Sequence, residues 1–238
     1  MDAVEVKQPS IWGRIVKFII KFVKWFLIIS VSSVVLFRFI PIPITPFMLY
    51  NLPIQMFDSD RKVRLYKDWE SIDNISKSMQ LAVVCSEDQK FLEHDGFDFE
   101  AIKKALRNNE RGRRIKGGST ISQQTAKNVF LLNHRNYIRK GLEVYFTFLI
   151  ELIWSKERIM EVYLNVIEFG DGIYGVEAAS RHFFKKSAHD LSSSEAALLA
   201  SVLPNPIMYK VNAPSSYIIR RKNWVQRQMR QWGGTINF

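Results

Sequence analysis

The sequence feature with the largest consequence for the fold of this 238-residue chain is an apolar segment close to its start. Residues 14–40 read RIVKFIIKFVKWFLIISVSSVVLFRFI, and positions 25–37 carry no charged side chain. A helix that spans the hydrocarbon core of a bilayer needs about 20 apolar residues. The segment reaches that length only if Lys21 and Lys24 extend their ammonium groups to the lipid interface. The sequence therefore predicts a transmembrane signal-anchor helix over residues 15–40.

The charges around this segment predict its orientation. Basic residues precede the apolar run, and the positive-inside rule then makes residues 1–14 a short cytoplasmic tail. A cleaved signal peptide is an alternative, but no small-x-small cleavage site follows in RFIPIPITPFMLY. A buried core helix is another, and the lysines at positions 17, 21 and 24 argue against it. We expect a single-pass protein with the rest of the chain outside the cytoplasm.

Beyond the anchor, the sequence predicts a linker over residues 41–59 and one mostly α domain over residues 60–238. The linker is expected to be extended, because PIPITPFMLYNLP contains four prolines and proline fixes φ. No long alternating strand pattern is present, whereas helical spacing of apolar residues recurs along the domain. The segments that predict helices are 73–88, 99–114, 119–132, 139–155, 155–170 and 192–206. Cys85 is the single cysteine, which excludes an intrachain disulfide and a cysteine-based metal site.

Acidic residues are concentrated in one stretch of this basic chain, which is compatible with a catalytic site. The chain has 34 Lys and Arg against 23 Asp and Glu, a net charge of +11, which favours an anionic partner. Six acidic residues nevertheless fall within SEDQKFLEHDGFDFEA, residues 86–101. A solvated acidic turn is one interpretation of this stretch. A catalytic carboxylate among cations that hold an anionic substrate is the other.

Two further segments stand out, GGSTISQQTAKN at 117–128 and RKGLE at 139–143. Each has an ordinary explanation when taken alone. The glycines, Ser119 and Thr120 are compatible with a loop and a helix N-cap, and Gln123 and Gln124 with a solvated helix face. Arg139 and Glu143 have the spacing of an i,i+4 ion pair.

Taken in order, however, five segments of the chain closely resemble motifs of the peptidoglycan glycosyltransferases of family 51. These segments are EDQKFLEHDG, GGSTISQQ, RKGLE, KERIMEVYLN and FGDGIYGVEAAS. Within that family the resemblance is to the monofunctional biosynthetic transglycosylases, and it covers about residues 80–206. It implies a mostly α, lysozyme-like glycosyltransferase domain with a small membrane-facing jaw lobe. It also implies polymerisation of lipid II into β-1,4-linked glycan strands, with inversion and release of undecaprenyl pyrophosphate, in bacterial cell wall biosynthesis. The implied location is the bacterial cytoplasmic (inner) membrane, with the catalytic domain on the outer, periplasmic face.

The resemblance assigns roles to individual residues. Glu87 takes the position of the general base, and Glu143 that of a second catalytic glutamate on the pyrophosphate side. No tightly bound cofactor is implied, but a divalent cation, Mg²⁺ or Mn²⁺, held by Glu143 through the substrate pyrophosphate is left open. His94 is expected to position other groups. The implied substrate-binding positions are Asp88, Phe91, His94, Gly96, Lys116, Gly118, Ser119, Thr120, Gln123, Gln124, Lys127, Arg135, Arg139 and Lys140.

The sequence favours this interpretation over several alternatives. A lytic enzyme of lysozyme-like fold would also use Glu87, but GGSTISQQ and the cations suit a pyrophosphate leaving group better. A membrane-tethered scaffold and a nucleic-acid binder are disfavoured by the two glutamates and by the expected location. Transpeptidation is not expected, because SDRK at 59–62 matches SxxK without the later motifs of that reaction. The expected partners are lipid II, the growing lipid-linked glycan, the membrane, and cell-wall synthesis or division proteins. The basic segment 207–238 is expected to form a terminal helix without a chemical role.

Overall fold

The computed structural model of the chain describes residues 11–59, 61–110, 118–132 and 136–238, apart from the side chains at positions 104, 106 and 108–110. Helices dominate these residues, so the prediction of a mostly α chain is confirmed. The ten α-helices described are α1 (Ile11–Phe37), α2 (Pro46–Phe57), α3 (Lys77–Glu87), α4 (Phe99–Glu110), α5 (Ile121–Phe130), α6 (Tyr137–Ile153), α7 (Lys156–Val166), α8 (Val176–Phe184), α9 (Ser193–Val202) and α10 (Ser216–Gln231). Two short 3-10 turns occupy Ile72–Asn74 and Ala188–Asp190.

α1 is the helix that the apolar segment predicts. It belongs to a unit that ends at Ile40, and residues 41–238 form a second compact unit. Its 27 residues extend about 40 Å at 1.5 Å per residue, longer than the hydrocarbon core of about 30 Å. Most of its large apolar side chains are exposed, so by length and composition α1 can cross a membrane. The first ten residues of the predicted cytoplasmic tail lie outside the described part of the chain.

The extended linker predicted for residues 41–59 is wrong over α2. Thr45 accepts a hydrogen bond from the Met48 amide and caps this helix, and Pro46 occupies its first turn. Proline is suited to that position because its fixed φ is helical and its missing N–H would have no partner there. Pro53 lies inside the helix and removes one further backbone donor. The prolines therefore begin and interrupt a helix, and that helix belongs to the second unit.

A small three-stranded sheet was not anticipated from the sequence. Its strands are β1 (Tyr66–Lys67), β2 (Glu168–Gly170) and β3 (Ile173–Tyr174), in the order β1-β3-β2. β3 pairs parallel to β1 and antiparallel to β2. Strands of two or three residues are too short to produce an alternating apolar pattern. Gly172 in the β2–β3 turn has φ of +70°, and a Cβ there would lie 2.2 Å from the Arg64 carbonyl oxygen.

The core of the second unit is built from helices that are buried on several sides. In α3 every residue from Met79 to Cys85 is buried, so its helical pattern is that of a central helix rather than an amphipathic one. α3 packs against α9 and α10, while α5 packs against α6 and α7. The Phe130 and Phe146 rings stack with centroids 4.4 Å apart and join α5 to α6. The remaining predicted helices are confirmed as α4, α5, α6, α7 and α9. The predicted helix over 155–170 is wrong at residues 168–170, which form β2, and the predicted end of α4 at residue 114 lies outside the described residues.

Candidate active site

Glu87 is the last residue of α3, and its carboxylate is bonded from three directions. Oε1 accepts from Ser86 Oγ at 2.9 Å and from Arg221 Nη2 at 3.3 Å. Oε2 accepts from Gln124 Nε2 at 3.2 Å. The side chain is 12% exposed, so the carboxylate is held by protein groups and still reaches solvent. A carboxylate held in this way is oriented before any other molecule binds beside it.

Gln124 is itself held in place by a buried tyrosine. The Tyr163 hydroxyl donates to Gln124 Oε1 at 3.3 Å, which directs the amide nitrogen of Gln124 toward Glu87. Tyr163 is fully buried in α7, and burial together with the nearby charges of Glu87 and Asp88 raises its pKa well above the usual value. The phenol therefore keeps its proton and remains a donor. Tyr163 thus joins α7 to α5, and Gln124 joins α5 to the end of α3.

Asp88, next to Glu87, is buried and bonded to His94. His94 Nε2 lies 2.9 Å and 3.0 Å from the two carboxylate oxygens of Asp88. The amide of Gly96 donates to His94 Nδ1, so Nε2 carries the imidazole proton and donates to Asp88. Asp88 also accepts from the amide of Ile121, at the start of α5. His94 and Asp88 therefore tie the acidic stretch to α5.

A lysine from α7 supports the same turn. Lys156 Nζ donates to the His94 carbonyl at 2.5 Å and to Glu151 at 2.8 Å. Its ammonium lies 4.8 Å from the centroid of the Phe91 ring, which is fully buried. Glu151 also accepts a hydrogen bond from Ser122. These contacts fix the turn against α5, α6 and α7.

The second motif begins α5 with a capping box. Thr120 accepts from the Gln123 amide, and the Gln123 side chain accepts from the Thr120 amide. The Thr120 hydroxyl also donates to the Gly96 carbonyl at 2.7 Å. Both side chains are buried, so Gln123 has a structural role here, whereas the adjacent Gln124 bonds to Glu87.

A cleft of about 430 Å³ opens beside Glu87. Burial raises the pKa of the Cys85 thiol, which also lines it, to about 11, so this thiol is protonated at neutral pH and is a poor nucleophile. The lining residues are Cys85, Ser86, Glu87, Asp88, Gln89, Lys90, Asp98, Glu100, Ala101, Gly118, Ser119, Thr120 and Trp224.

Glu143 forms a separate cluster with two cations of α6. Its Oε2 accepts from Arg139 Nη1 at 2.7 Å, and its Oε1 accepts from Lys140 Nζ at 2.5 Å. The Glu143 side chain is 4% exposed, whereas that of Lys140 is 48% exposed. A buried carboxylate thus holds two cations that remain partly accessible, a stronger arrangement than a solvent-exposed i,i+4 pair.

The surroundings of Glu143 do not fit a divalent cation bound directly to its carboxylate. Both of its oxygens are already bonded to cationic groups, which a metal ion would have to displace. Within residues 11–59, 61–110, 118–132 and 136–238, no group of three or more His, Cys, Asp or Glu side chains could hold a metal ion. A cation carried by the substrate pyrophosphate stays a prediction.

α10 contributes to the site two residues that were not predicted from the sequence. Arg221 donates to Glu87 and to Ser86, and Trp224 lines the cleft one turn later. The expected helix in segment 207–238 is confirmed, and it contacts Glu87 through Arg221. Buried Ile218, Val225 and Met229 mark its inner face, and the sequence contains no local signal for which of its basic residues reaches Glu87.

The predicted site residues divide into three groups. Those that line the cleft are Glu87, Asp88, Gly118, Ser119 and Thr120. Those placed behind or away from its lining are Phe91, His94, Gly96, Gln123, Gln124, Lys127, Arg139, Lys140 and Glu143. Lys127 is on α5, one turn after Gln124, with its ammonium 5.8 Å from the centroid of the Phe47 ring. Lys116 and Arg135 lie outside the described residues. Substrate contact by all of these side chains stays a prediction.

Several known proteins are similar to this chain over most of its length. The sequence model of the Transglycosylase family matches residues 54–230. A biosynthetic peptidoglycan transglycosylase of Pasteurella multocida (strain Pm70) is 51% identical over 220 residues, which cover 92% of this chain and 89% of that protein. One of Haemophilus influenzae (strain ATCC 51907 / DSM 11121 / KW20 / Rd) is 55% identical over 203 residues, 85% of this chain and 82% of that protein. One of Yersinia pseudotuberculosis serotype O:3 (strain YPIII) is 55% identical over 204 residues, 85% of each chain. With a match over most of its length, on the segments that build the Glu87 cleft, the chain belongs to the transglycosylase family.

Proposed function

We propose that this chain is a peptidoglycan glycosyltransferase that polymerises lipid II into β-1,4-linked glycan strands and releases undecaprenyl pyrophosphate. The observation that carries the proposal is Glu87, a carboxylate held at the wall of a cleft by Gln124 and Arg221. Membership of the transglycosylase family and the names of the relatives support the same reaction.

In this reaction Glu87 acts as a general base. It takes the proton of the acceptor 4-hydroxyl while that oxygen forms a bond to the anomeric carbon of the donor. The bond from the anomeric carbon to the pyrophosphate oxygen breaks, and its electron pair leaves with the pyrophosphate. Direct displacement inverts the α-linked donor to a β-linked product. Because pyrophosphate is a good leaving group, the reaction has less need of the second, proton-donating carboxylate that inverting glycosidases use.

The cluster on α6 suits the charge that develops on the leaving group. Glu143 engages Arg139 through Nη1 and Lys140 through one ammonium, so both cations keep further N–H donors for an anion. A guanidinium can grip phosphate oxygens bidentately, while an ammonium acts as a point charge. Glu143 therefore serves by holding the two cations in position. Lys127, one helical turn beyond Gln124, is a third cation for this role.

A membrane location fits a substrate with a polyprenyl tail. α1 anchors the chain, and its basic N-terminal half favours a cytoplasmic N-terminus with residues 41–238 on the outer face. The second unit also exposes large apolar side chains on α6, among them Phe148 and Leu152. Such a surface suits contact with lipid near the site. Partners among cell-wall synthesis or division proteins stay a prediction.

The test is polymerisation of lipid II by the detergent-solubilised full chain. We expect Glu87→Gln to lower kcat by about 10²–10⁴-fold, because the amide cannot accept the hydroxyl proton. Glu143→Gln should lower kcat by about 10²-fold, because Arg139 and Lys140 lose the carboxylate that holds them. Glu93→Gln is the matched control, since Glu93 is an exposed acid of the same stretch, and it should retain wild-type activity.

Other outcomes would assign a different function. Release of small fragments from preformed glycan would identify a lytic enzyme. Precursor binding without product by the wild type would identify a scaffold. Full activity of Glu87→Gln would remove Glu87 from the role of base.

A further inference from the structure

Arg221 is a cationic group bonded to the Glu87 carboxylate, and it comes from a helix far along the chain. Its Nη2 donates to Glu87 Oε1 at 3.3 Å, to Ser86 Oγ at 2.9 Å and to the Ser86 carbonyl at 3.4 Å. The Arg221 side chain is 21% exposed. Its Nε is buried and has no hydrogen-bond partner, so the guanidinium is committed to the end of α3 through one nitrogen.

The acceptor capacity of Glu87 determines which oxygen can react. A carboxylate has about four lone-pair sites, two on each oxygen. Both sites of Oε1 are occupied, one by Arg221 Nη2 and one by the Ser86 hydroxyl, which also lies 3.1 Å from the Ala200 carbonyl and shares its single proton between the two acceptors. Oε2 uses one, for Gln124. A single site therefore remains on Oε2, and an incoming hydroxyl has that site to bond to.

The packing of α10 makes the position of Arg221 rigid. Ile218 and Val225, three residues before and four residues after Arg221, are fully buried. At those spacings the three side chains lie on one helix face. Gln228, two turns beyond Arg221, accepts from Gln89 Nε2 at 3.1 Å and forms a second polar contact between α10 and the segment after α3.

We propose that Arg221 is a positioning residue of the glycosyl transfer. It occupies Oε1 of Glu87, together with Ser86, so that the proton of the acceptor hydroxyl passes to Oε2. This inference rests on the proposed function of Glu87 as base. It predicts that α10, which lies outside the five segments that carry the sequence resemblance but within the residues matched by the family model, controls the rate of the chemical step.

The experiment compares Arg221→Met and Arg221→Lys with Arg220→Met in the full chain. Arg220 is the exposed neighbour on α10, so its substitution removes the same charge and leaves Glu87 untouched. We expect Arg221→Met to lower kcat by about tenfold to a hundredfold, because the base is misoriented, with KM for lipid II within about twofold of wild type. Arg221→Lys should recover part of kcat, and Arg220→Met should behave as wild type.

A second measurement separates positioning from folding. Gln124→Ala and Arg221→Met act through the same carboxylate, so their effects on kcat should be less than additive in the double variant. Glu143→Gln, which acts on another group, should add fully to Arg221→Met. Thermal unfolding of each variant shows whether the native fold is retained.

Three results would overturn the inference. Arg221→Met could keep the kcat of wild type, or lose activity only as far as its folded fraction falls. It could also raise KM at an unchanged kcat, which would make Arg221 a substrate contact. If the wild type does not polymerise lipid II, the proposed function itself is wrong. That outcome differs from a wild type that polymerises lipid II and an Arg221→Met variant whose kcat is unchanged.

Discussion

Gly96 determines the backbone conformation of the turn within the acidic stretch. Its φ is +88°, in the left-handed region that glycine adopts without strain. A Cβ at this position would lie 2.8 Å from Thr147 Cγ2 and 2.9 Å from Glu151 Cγ, both on α6. The Gly96 amide and carbonyl also bond to His94 and Thr120. The turn is thus held by its backbone at a place where no side chain fits.

We expect Gly96→Ala to destabilise the fold by about 2–4 kcal/mol, from backbone strain and steric overlap. In a unit of this size, that corresponds to a fall in Tm of roughly 5–15 °C. Gly141→Ala is the matched control, because Gly141 lies within α6 and a Cβ there would meet nothing within 4 Å. The control should gain about 0.5–1 kcal/mol from helix propensity. Thermal unfolding of both variants measures this difference, and equal Tm values would contradict it.

The small three-stranded sheet holds a buried acid. Glu168 of β2 accepts from the Gly172 amide at 3.0 Å and is 6% exposed. Burial raises its pKa to about 7, opposed by the Gly172 hydrogen bond and the charge of Arg61. Asp171, which also raises the pKa of Glu168, is itself bonded to Arg61. The Tyr174 hydroxyl is near as well and accepts from Asn51 at 2.9 Å.

This acid predicts a pH dependence of stability. The folded state binds the proton of Glu168 more tightly than the unfolded state, whose pKa is near 4.5. Its stabilising contribution is therefore complete below about pH 4.5 and is lost as the pH rises through about 7. The loss amounts to about 3 kcal/mol. Urea unfolding at pH 5 and pH 8 should show this loss in wild type relative to Glu168→Gln, and identical pH slopes would contradict the prediction.

The chain combines an apolar anchor with a basic catalytic unit. α1 carries its basic residues in its first half and none between positions 25 and 37. The two units are distinct, with their boundary between Ile40 and Pro41. The topology of the anchor therefore decides on which side of the membrane the Glu87 cleft lies.

We expect alkaline phosphatase fused after Ile40 to be active, because the positive-inside rule places that point outside the cytoplasm. A fluorescent protein fused at the N-terminus should fold in the cytoplasm and fluoresce. The control replaces the basic residues of α1 with glutamine, which should weaken the orientation and lower the phosphatase signal. An inactive phosphatase in the unmodified chain would contradict the predicted topology. The residues replaced in the control are Arg14, Lys17, Lys21 and Lys24.

Features set by neighbouring residues could be predicted from the sequence. The anchor depends on a continuous apolar run, and the starts of α7 and α9 depend on Ser155 and Ser192 with their capping partners. The motifs also predicted the family, and they pointed to Glu87 and Glu143 as candidate catalytic residues. α2 was missed because prolines at a helix start and in a linker look alike, and the β-strands because they are too short for a pattern.

Features that depend on packing required the tertiary structure. Gln123 and Gln124 are adjacent in sequence, yet one closes a capping box and the other bonds to Glu87, because successive helical residues point about 100° apart. Arg221 meets Glu87 across 134 residues. Such a contact is decided by how α10 packs on α3 through buried apolar side chains, and apolar burial is non-directional, so the sequence of α10 contains no mark of its partner.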